Sequence, residues 1–316
     1  MAAPPHKPAT RRPHFRRHDP PPIRLTEDDI MMLRHLAKHR FLRATDLARL
    51  LARPSKKIGE RLAALYHNAY VDRPRRQLEY FMPGARAPYV YALGNAGARI
   101  LAELDATQAA KVDWTDKNRD ATRPFIQHTL LVANVMIALE LATRDHATIQ
   151  LIEPHLILAR SPLDTQRLAN PWKWQARVPW IDKQIDVSLV PDWVFGLDFT
   201  DQRKRSYFFL EADRGTMSIK RDNLNQSSMQ KKFLAYLHGH RVKHHTERYG
   251  IQNFRVLTVT TSEDRAANMI ANVKDITGGR GSNVFLFTDG AAVAAASDVL
   301  NLELTTGKGE RVTLTN

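Results

Sequence analysis

The 316-residue chain has no cysteine, which excludes disulfides and cysteine-ligated zinc and leaves the redox compartment open. Long apolar runs are also missing. The longest candidate, Leu130 to Leu141, is interrupted by Asn134 and falls short of the roughly 20 residues a membrane span needs, so it predicts a core helix. The basic N-terminus has no apolar segment behind it, which argues against secretion and for a cytoplasmic location. Acids are in deficit. Lysine and arginine number 47 against 33 acids, giving a net charge of +14 and a pI near 10.1. Such a balance favours a polyanionic partner, with double-stranded DNA preferred over a membrane surface. At 43% hydrophobic, the chain has enough apolar residues for two domains.

Composition divides the sequence into four parts. Residues 1 to 24 mix prolines with Arg11, Arg12, Arg16, Arg17 and Arg24, cannot bury a core, and read as a disordered tail able to neutralise phosphates. Residues 25 to 108 then open with Thr26 and Asp29 at capping-box spacing, followed by Ile30, Leu33 and Leu36 in helical register through Arg40. Thr45 is placed as the cap of a second helix (46 to 51). Ser55 is placed as the cap of a third (56 to 67), with Ile58, Leu62 and Leu65 inward. A strand at 69 to 72, a basic turn from Arg73 to Arg86 and a strand at 89 to 93 complete a winged helix-turn-helix. Lys56, Lys57, Glu60 and Arg61 lie off the apolar stripe and are expected to face DNA, with Arg73, Arg75 and Arg76 arming the wing. The competing reading is a solvated face or a protein-docking module.

A helix from Ala98 to Leu104 closes that module, and residues 109 to 124 read as a linker. The second domain, 125 to 316, begins with an apolar helix to Arg144. A strand at 149 to 158 and a long loop carrying Trp172, Trp174 and Trp180 come next. Two strands then flank a charged turn between 187 and 215. A polar helix (223 to 239), a strand (254 to 260), a helix (264 to 276), a strand (283 to 287) and a terminal hairpin (302 to 314) follow.

The two strands hold Pro191-Asp192 and Glu211-Ala212-Asp213, and period-two geometry puts Glu211 and Asp213 on one sheet face, within reach of Asp192. An unpaired charge in such a sheet costs several kcal/mol, roughly, so a cation, a basic partner or raised pKa values must offset it.

Helix, three strands, helix, strand, helix, strand, with Asp on the second strand and Glu on the third, resembles the PD-(D/E)xK nuclease superfamily. With a winged helix in front, the chain resembles the replication-relaxation family of plasmids and mobile elements. The resemblance rests on LTEDDIMMLRHLAKHRFL, HTLLVANVMIALE, VPDWVF and FFLEADRGT. It implies an α/β protein, a winged helix joined to a mixed sheet flanked by helices, acting on DNA in replication, transfer or regulation of a mobile element. Partners would include replication or transfer proteins and a second copy of the chain. In the nuclease reading Asp192, Glu211 and Asp213 would bind Mg²⁺ or Mn²⁺, with Ala212 lending its carbonyl. The motif calls for lysine where Asp213 stands, so a displaced lysine would come from Lys220, Lys231 or Lys232. Without it, the carboxylates would form a metal-free cluster paired with Arg214 or Lys220. A non-catalytic docking adaptor is the remaining alternative.

Weaker motifs are read blandly. His238, His240, His244 and His245 follow what looks like a glycine-marked helix end, and a zinc site there is disfavoured. Tyr236 and Tyr249 could serve as relaxase nucleophiles only by guess. GGRGS at 278 to 282 lacks the Gly-Lys-Ser/Thr of a phosphate loop and reads as a turn. The tryptophans read as packing groups before base-stacking ones, and His128 and Asn134 as core polar groups.

Overall fold

The structure is a computed structural model that describes residues 17–80, 88–105, 109–180, 183–221 and 226–315. The tail as far as Arg16, Arg86 of the basic turn, and Asn223 at the expected start of the polar helix lie outside these residues. The chain forms two compact units, Met1–Ala133 and Asn134–Asn316.

The first unit opens with α1 (Glu27–His39). Thr26 Oγ1 accepts from the Asp29 N–H at 3.3 Å while Asp29 Oδ2 accepts from the Thr26 N–H at 2.7 Å, the reciprocal cap that the sequence predicts. The strand β1 (Leu42–Arg43), the helices α2 (Ala44–Leu51) and α3 (Ser55–His67), the strands β2 (Val71–Asp72) and β3 (Val90–Leu93), and α4 (Asn95–Asp105) follow. The strands form one antiparallel sheet in the order β1-β3-β2. Two expected caps are corrected. Asp46 Oδ2 accepts the Arg43 N–H at 2.8 Å ahead of α2, so Thr45 sits inside that helix. Pro54 occupies the cap of α3, so Ser55 is already helical.

Residues expected as linker contain a further helix, α5 (Trp114–Asp120), capped by Asp113. It is stitched to the sheet by buried Asn118, whose Nδ2 donates to Asp72 Oδ2 at 2.9 Å and to the Leu93 carbonyl at 2.8 Å. Buried polar groups need such partners, which is why a polar sequence is ordered here. The long helix α6 (Arg123–Arg144) begins in the same unit, where Ile126 and Leu130 pack with Phe41, Val90 and Ala92. Among the described residues α6 alone is long and apolar enough to cross a membrane, and 44% of that apolar window is buried.

The second unit is built on β4 (Ile149–Ile152), β7 (Trp193–Phe199), β8 (Lys204–Ala212), β9 (Arg255–Thr260), β10 (Phe285–Asp289), β11 (Leu304–Thr306) and β12 (Arg311–Val312). These make a seven-stranded mixed sheet in the order β12-β11-β10-β9-β8-β7-β4, with β8–β9 and β9–β10 parallel. The fold is therefore mixed α/β, with helices flanking the sheet: α7 (Pro154–Leu158), α8 (Leu163–Gln166), α9 (Met229–Arg241), α10 (His244–Tyr249), α11 (Glu263–Ile276) and α12 (Gly290–Ala295). The expected strand from 149 to 158 breaks at Pro154, which starts α7 because proline suits a first helical turn.

The expected tryptophan loop is instead a hairpin of β5 (Trp174–Trp180) and β6 (Lys183–Leu189). Trp174 is fully buried among Phe209, Tyr236, Tyr249 and Phe254. Its ring lies so close to α9 that a Cβ on Gly239 would sit 2.0 Å from Trp174 Cζ2. Gly239 thus lies inside α9 and makes room for an indole, rather than ending the helix.

Candidate functional site

Asp192 stands immediately before β7 and ties it to the end of β8. Its N–H donates to the Leu210 carbonyl at 3.0 Å, and its Oδ2 accepts the Ala212 N–H at 2.7 Å. Alternation along β8 then turns Glu211 and Asp213 to one face. Each carboxylate meets a cation from a different helix.

Glu211 is 1% exposed. Its Oε2 accepts from Lys232 Nζ of α9 at 2.5 Å, and its Oε1 from the Tyr236 hydroxyl at 2.6 Å. Burial pushes the Glu211 carboxyl up, partly countered by Lys232 and reinforced by Asp192 nearby. Burial alone would pull the Lys232 ammonium down, but Glu211, Asp192 and Asp213 outweigh it and hold the group protonated. Asp213, 5% exposed, accepts from Arg265 Nε at 2.5 Å and Nη2 at 3.0 Å, from Thr260 Oγ1 at 2.7 Å and from the Gly215 N–H at 3.2 Å. Burial works to raise its pKa and is overcome by Arg265 and Thr260, which leaves the carboxyl below its ordinary value.

These bonds occupy the carboxylates unequally. A carboxylate has about four acceptor positions. Asp213 accepts four hydrogen bonds, three on Oδ2 and one on Oδ1, and Glu211 accepts two. Asp192 Oδ2 accepts the Ala212 N–H. The three acids are not among the described groups whose ligand atoms all lie within 4.8 Å of one another.

Among the candidate lysines, Lys232 meets the cluster at Glu211. Lys220 reaches exposed Asp275 at 2.9 Å, and Lys231 contributes the backbone N–H that Ser228 Oγ caps at 3.2 Å. Lys232 pairs with Glu211 and Arg265 with Asp213.

On the first unit, Lys56, Lys57 and Glu60 of α3 are exposed, as are Arg75 and Arg76 after β2. Two expected DNA-facing arginines are corrected. Arg61 forms a fork onto buried Asp29, at 2.7 Å and 2.6 Å, and buckles α3 to α1. Arg73 is 8% exposed, with its guanidinium 4.4 Å from the Tyr66 ring centre and 5.1 Å from those of Tyr89 and Tyr91. Helical spacing put Arg61 off the apolar stripe and the basic turn put Arg73 on the wing, but neither signal could show a partner waiting there.

The remaining candidates resolve as structure. Tyr236 is held by Glu211, and burial pushes its hydroxyl well above the ordinary phenol value. Tyr249 donates to the Pro171 carbonyl at 3.2 Å and is pushed up by burial to about 12. Neither is poised as a nucleophile. His245 Nε2 lies 2.9 Å from the Gln252 carbonyl, His240 stacks on His245, and His244 meets the Trp174 edge. Gly278, Gly279 and Gly281 take positive φ in the turn after α11.

The model of the replication-relaxation family matches residues 33–251, more than half of the chain. The chain belongs to the replication-relaxation family. Membership assigns it to replication or to plasmid and mobile-element processes. The matched span contains Asp192, Glu211, Asp213 and Lys232 and ends before Arg265, so the Asp213 partner comes from outside it. No match was found among curated proteins or among solved structures.

Proposed function

We propose that this replication-relaxation protein binds double-stranded DNA through a winged helix in residues 25–108, acting in replication or transfer of a plasmid or mobile element. The observation that carries this reading is the pairing of a basic α3 face, Lys56 and Lys57, with exposed Arg75 and Arg76 in the segment between β2 and β3. In a winged helix the third helix enters the major groove and the wing lies over the backbone. The order α1-β1-α2-α3-β2-β3 and the β1-β3-β2 sheet support that assignment. Lysines at these positions neutralise phosphates and so set affinity more than sequence choice. Lys56→Glu with Lys57→Glu should weaken duplex binding at least tenfold and flatten the log–log salt dependence by about two units. Unchanged affinity in the folded variant would remove α3 from the interface. Absence of any salt-sensitive DNA binding by the wild type would favour the docking adaptor instead.

One observation favours a second reading, metal-dependent DNA cleavage by a nuclease-like second unit. Lys232 supplies from α9 the ammonium that the E-x-K motif places two residues after the glutamate. Asp192 and Glu211 would hold a divalent ion, which as a Lewis acid polarises a phosphoryl oxygen. Mn²⁺-dependent nicking of plasmid DNA, lost in Asp192→Ala and in Lys232→Met, would establish it. No nicking by the wild type would dismiss it.

A further inference from the structure

Beside the β2–β3 pair, the first unit contains a cavity of about 620 Å³ that shares only Arg75 with the DNA reading. Its walls carry four arginines, Arg17, Arg73, Arg75 and Arg119, against a single carboxylate, Asp72, with Tyr66 of α3 between them. That carboxylate is already engaged. Arg17 Nη2 holds one of its oxygens and Asn118 Nδ2 the other. The arginine forks are fixed in advance. Arg17 also donates to the Tyr66 carbonyl at 2.8 Å and the Val71 carbonyl at 3.1 Å, and Arg73 donates to the Tyr91 hydroxyl at 3.1 Å beneath its ring contacts. Arg75 is exposed at the rim, and Arg119, 62% exposed, reaches it from α5, where it pairs with exposed Asp116 at 2.7 Å.

Like charges collected around a cavity repel, and the arrangement gains most from an anion that accepts several forked donors at once. Guanidinium groups match phosphate oxygens in that way, and donors locked before binding lose little entropy when the ligand arrives. The rings do not offer a stacking face for a base, because Arg17 and Arg73 lie over Tyr66 at 5.1 Å and 4.4 Å. We propose that this cavity is a phosphate-binding site, occupied either by a backbone phosphodiester of nucleic acid or by the phosphates of a free nucleotide. The site stands independently of the α3 reading, since a small phosphate can bind to a chain that ignores duplex DNA.

The test uses the full chain and pyrophosphate at constant ionic strength. Pyrophosphate should raise the melting temperature of the wild type saturably, because a ligand selective for the native state stabilises it by mass action. Arg75→Ala with Arg119→Ala should abolish the gain, while Arg177→Ala, at an exposed position on β5 of the other unit, should keep it. Arg119→Ala alone should raise the pyrophosphate midpoint at least threefold, which keeps the comparison if the double variant fails to fold. Displacement of a labelled duplex by pyrophosphate would identify the backbone phosphodiester. Nucleoside triphosphate binding at least tenfold tighter than pyrophosphate, with duplex affinity unchanged, would identify the nucleotide. No saturable shift in the wild type, or an equal shift in the double variant, would overturn the proposal.

Discussion

Lys232→Met isolates the charge held inside the second unit. Methionine keeps the apolar stem and removes the ammonium, leaving a carboxylate that is 1% exposed with the Tyr236 hydroxyl as its remaining donor among the partners described. Two responses are open to Glu211. Staying ionised without its cation costs about 3–5 kcal/mol. Taking up a proton costs about 1.36 kcal/mol for each unit between the ambient pH and the ordinary value of 4.5, which is about 3.4 kcal/mol at pH 7 and about 0.7 kcal/mol at pH 5. The cheaper response sets the loss. A carboxyl whose folded pKa is raised contributes stability below its ordinary value and loses it as pH rises toward the folded one, so the variant should be nearly native at pH 5 and weak at pH 7. For a unit of this size the neutral-pH loss corresponds to a fall of roughly 6–12 °C in melting temperature. Calorimetry at both pH values measures it directly. Glu211→Gln combined with Lys232→Met should recover most of the loss, since a neutral pair leaves no buried charge. An equal fall at both pH values, or no recovery in the double variant, would refute this account of the cluster.

Arg61→Ala should lower the urea midpoint through about 2–3 kcal/mol, because it strands buried Asp29; an unchanged midpoint would return Arg61 to the list of free DNA-facing cations. Deleting residues 1–16 should lower affinity for all duplexes alike, whereas deleting 1–22 also removes Arg17 from Asp72 and should lower the melting temperature as well. Altered sequence preference in the shorter deletion would show that the tail reads bases. Asp213 has a depressed pKa, so its stabilisation is complete above 3.8 and is lost as pH falls through the folded value. Asp213→Asn should therefore flatten the acid limb of a melting-temperature curve, and an unchanged acid limb would show that the Arg265 pair contributes nothing there.

Local signals carried the first unit well. The Thr26–Asp29 cap, the α3 stripe of Ile58, Leu62 and Leu65, and the strands β2 and β3 all follow from spacing and hydrogen-bond chemistry within a few residues. What spacing missed depended on distant partners. A polar stretch at 114–120 reads as linker until Asn118 finds Asp72 and Leu93, 46 and 25 residues away. Tryptophans in a loop-like sequence likewise become a hairpin because one of them, Trp174, fills the core and presses on Gly239. A glycine then reads as a helix end when its reason is a ring across the fold.

The carboxylate site shows the same limit more sharply. Sequence reasoning located Asp192, Glu211 and Asp213, stated that burial demands a cation, a basic partner or raised pKa values, and offered Lys232 among three lysines, but it had no signal for Arg265. The compensating groups come from 21 residues beyond Glu211 and 52 beyond Asp213, on two separate helices. Alternation in β8 turns both acids to one face, and α9 and α11 each deliver one cation to that face. The E-x-D sequence thus carries two buried acids where E-x-K would carry an acid and its own base. Two helices must supply what one strand would have supplied alone. Such a division separates the roles: Arg265 forks onto Asp213 at the end of β8, while Lys232 and Tyr236 each donate to one oxygen of Glu211. Substitutions at Asp213 should therefore act on stability, because its bonds to Arg265, Thr260 and Gly215 tie the end of β8 to its neighbours.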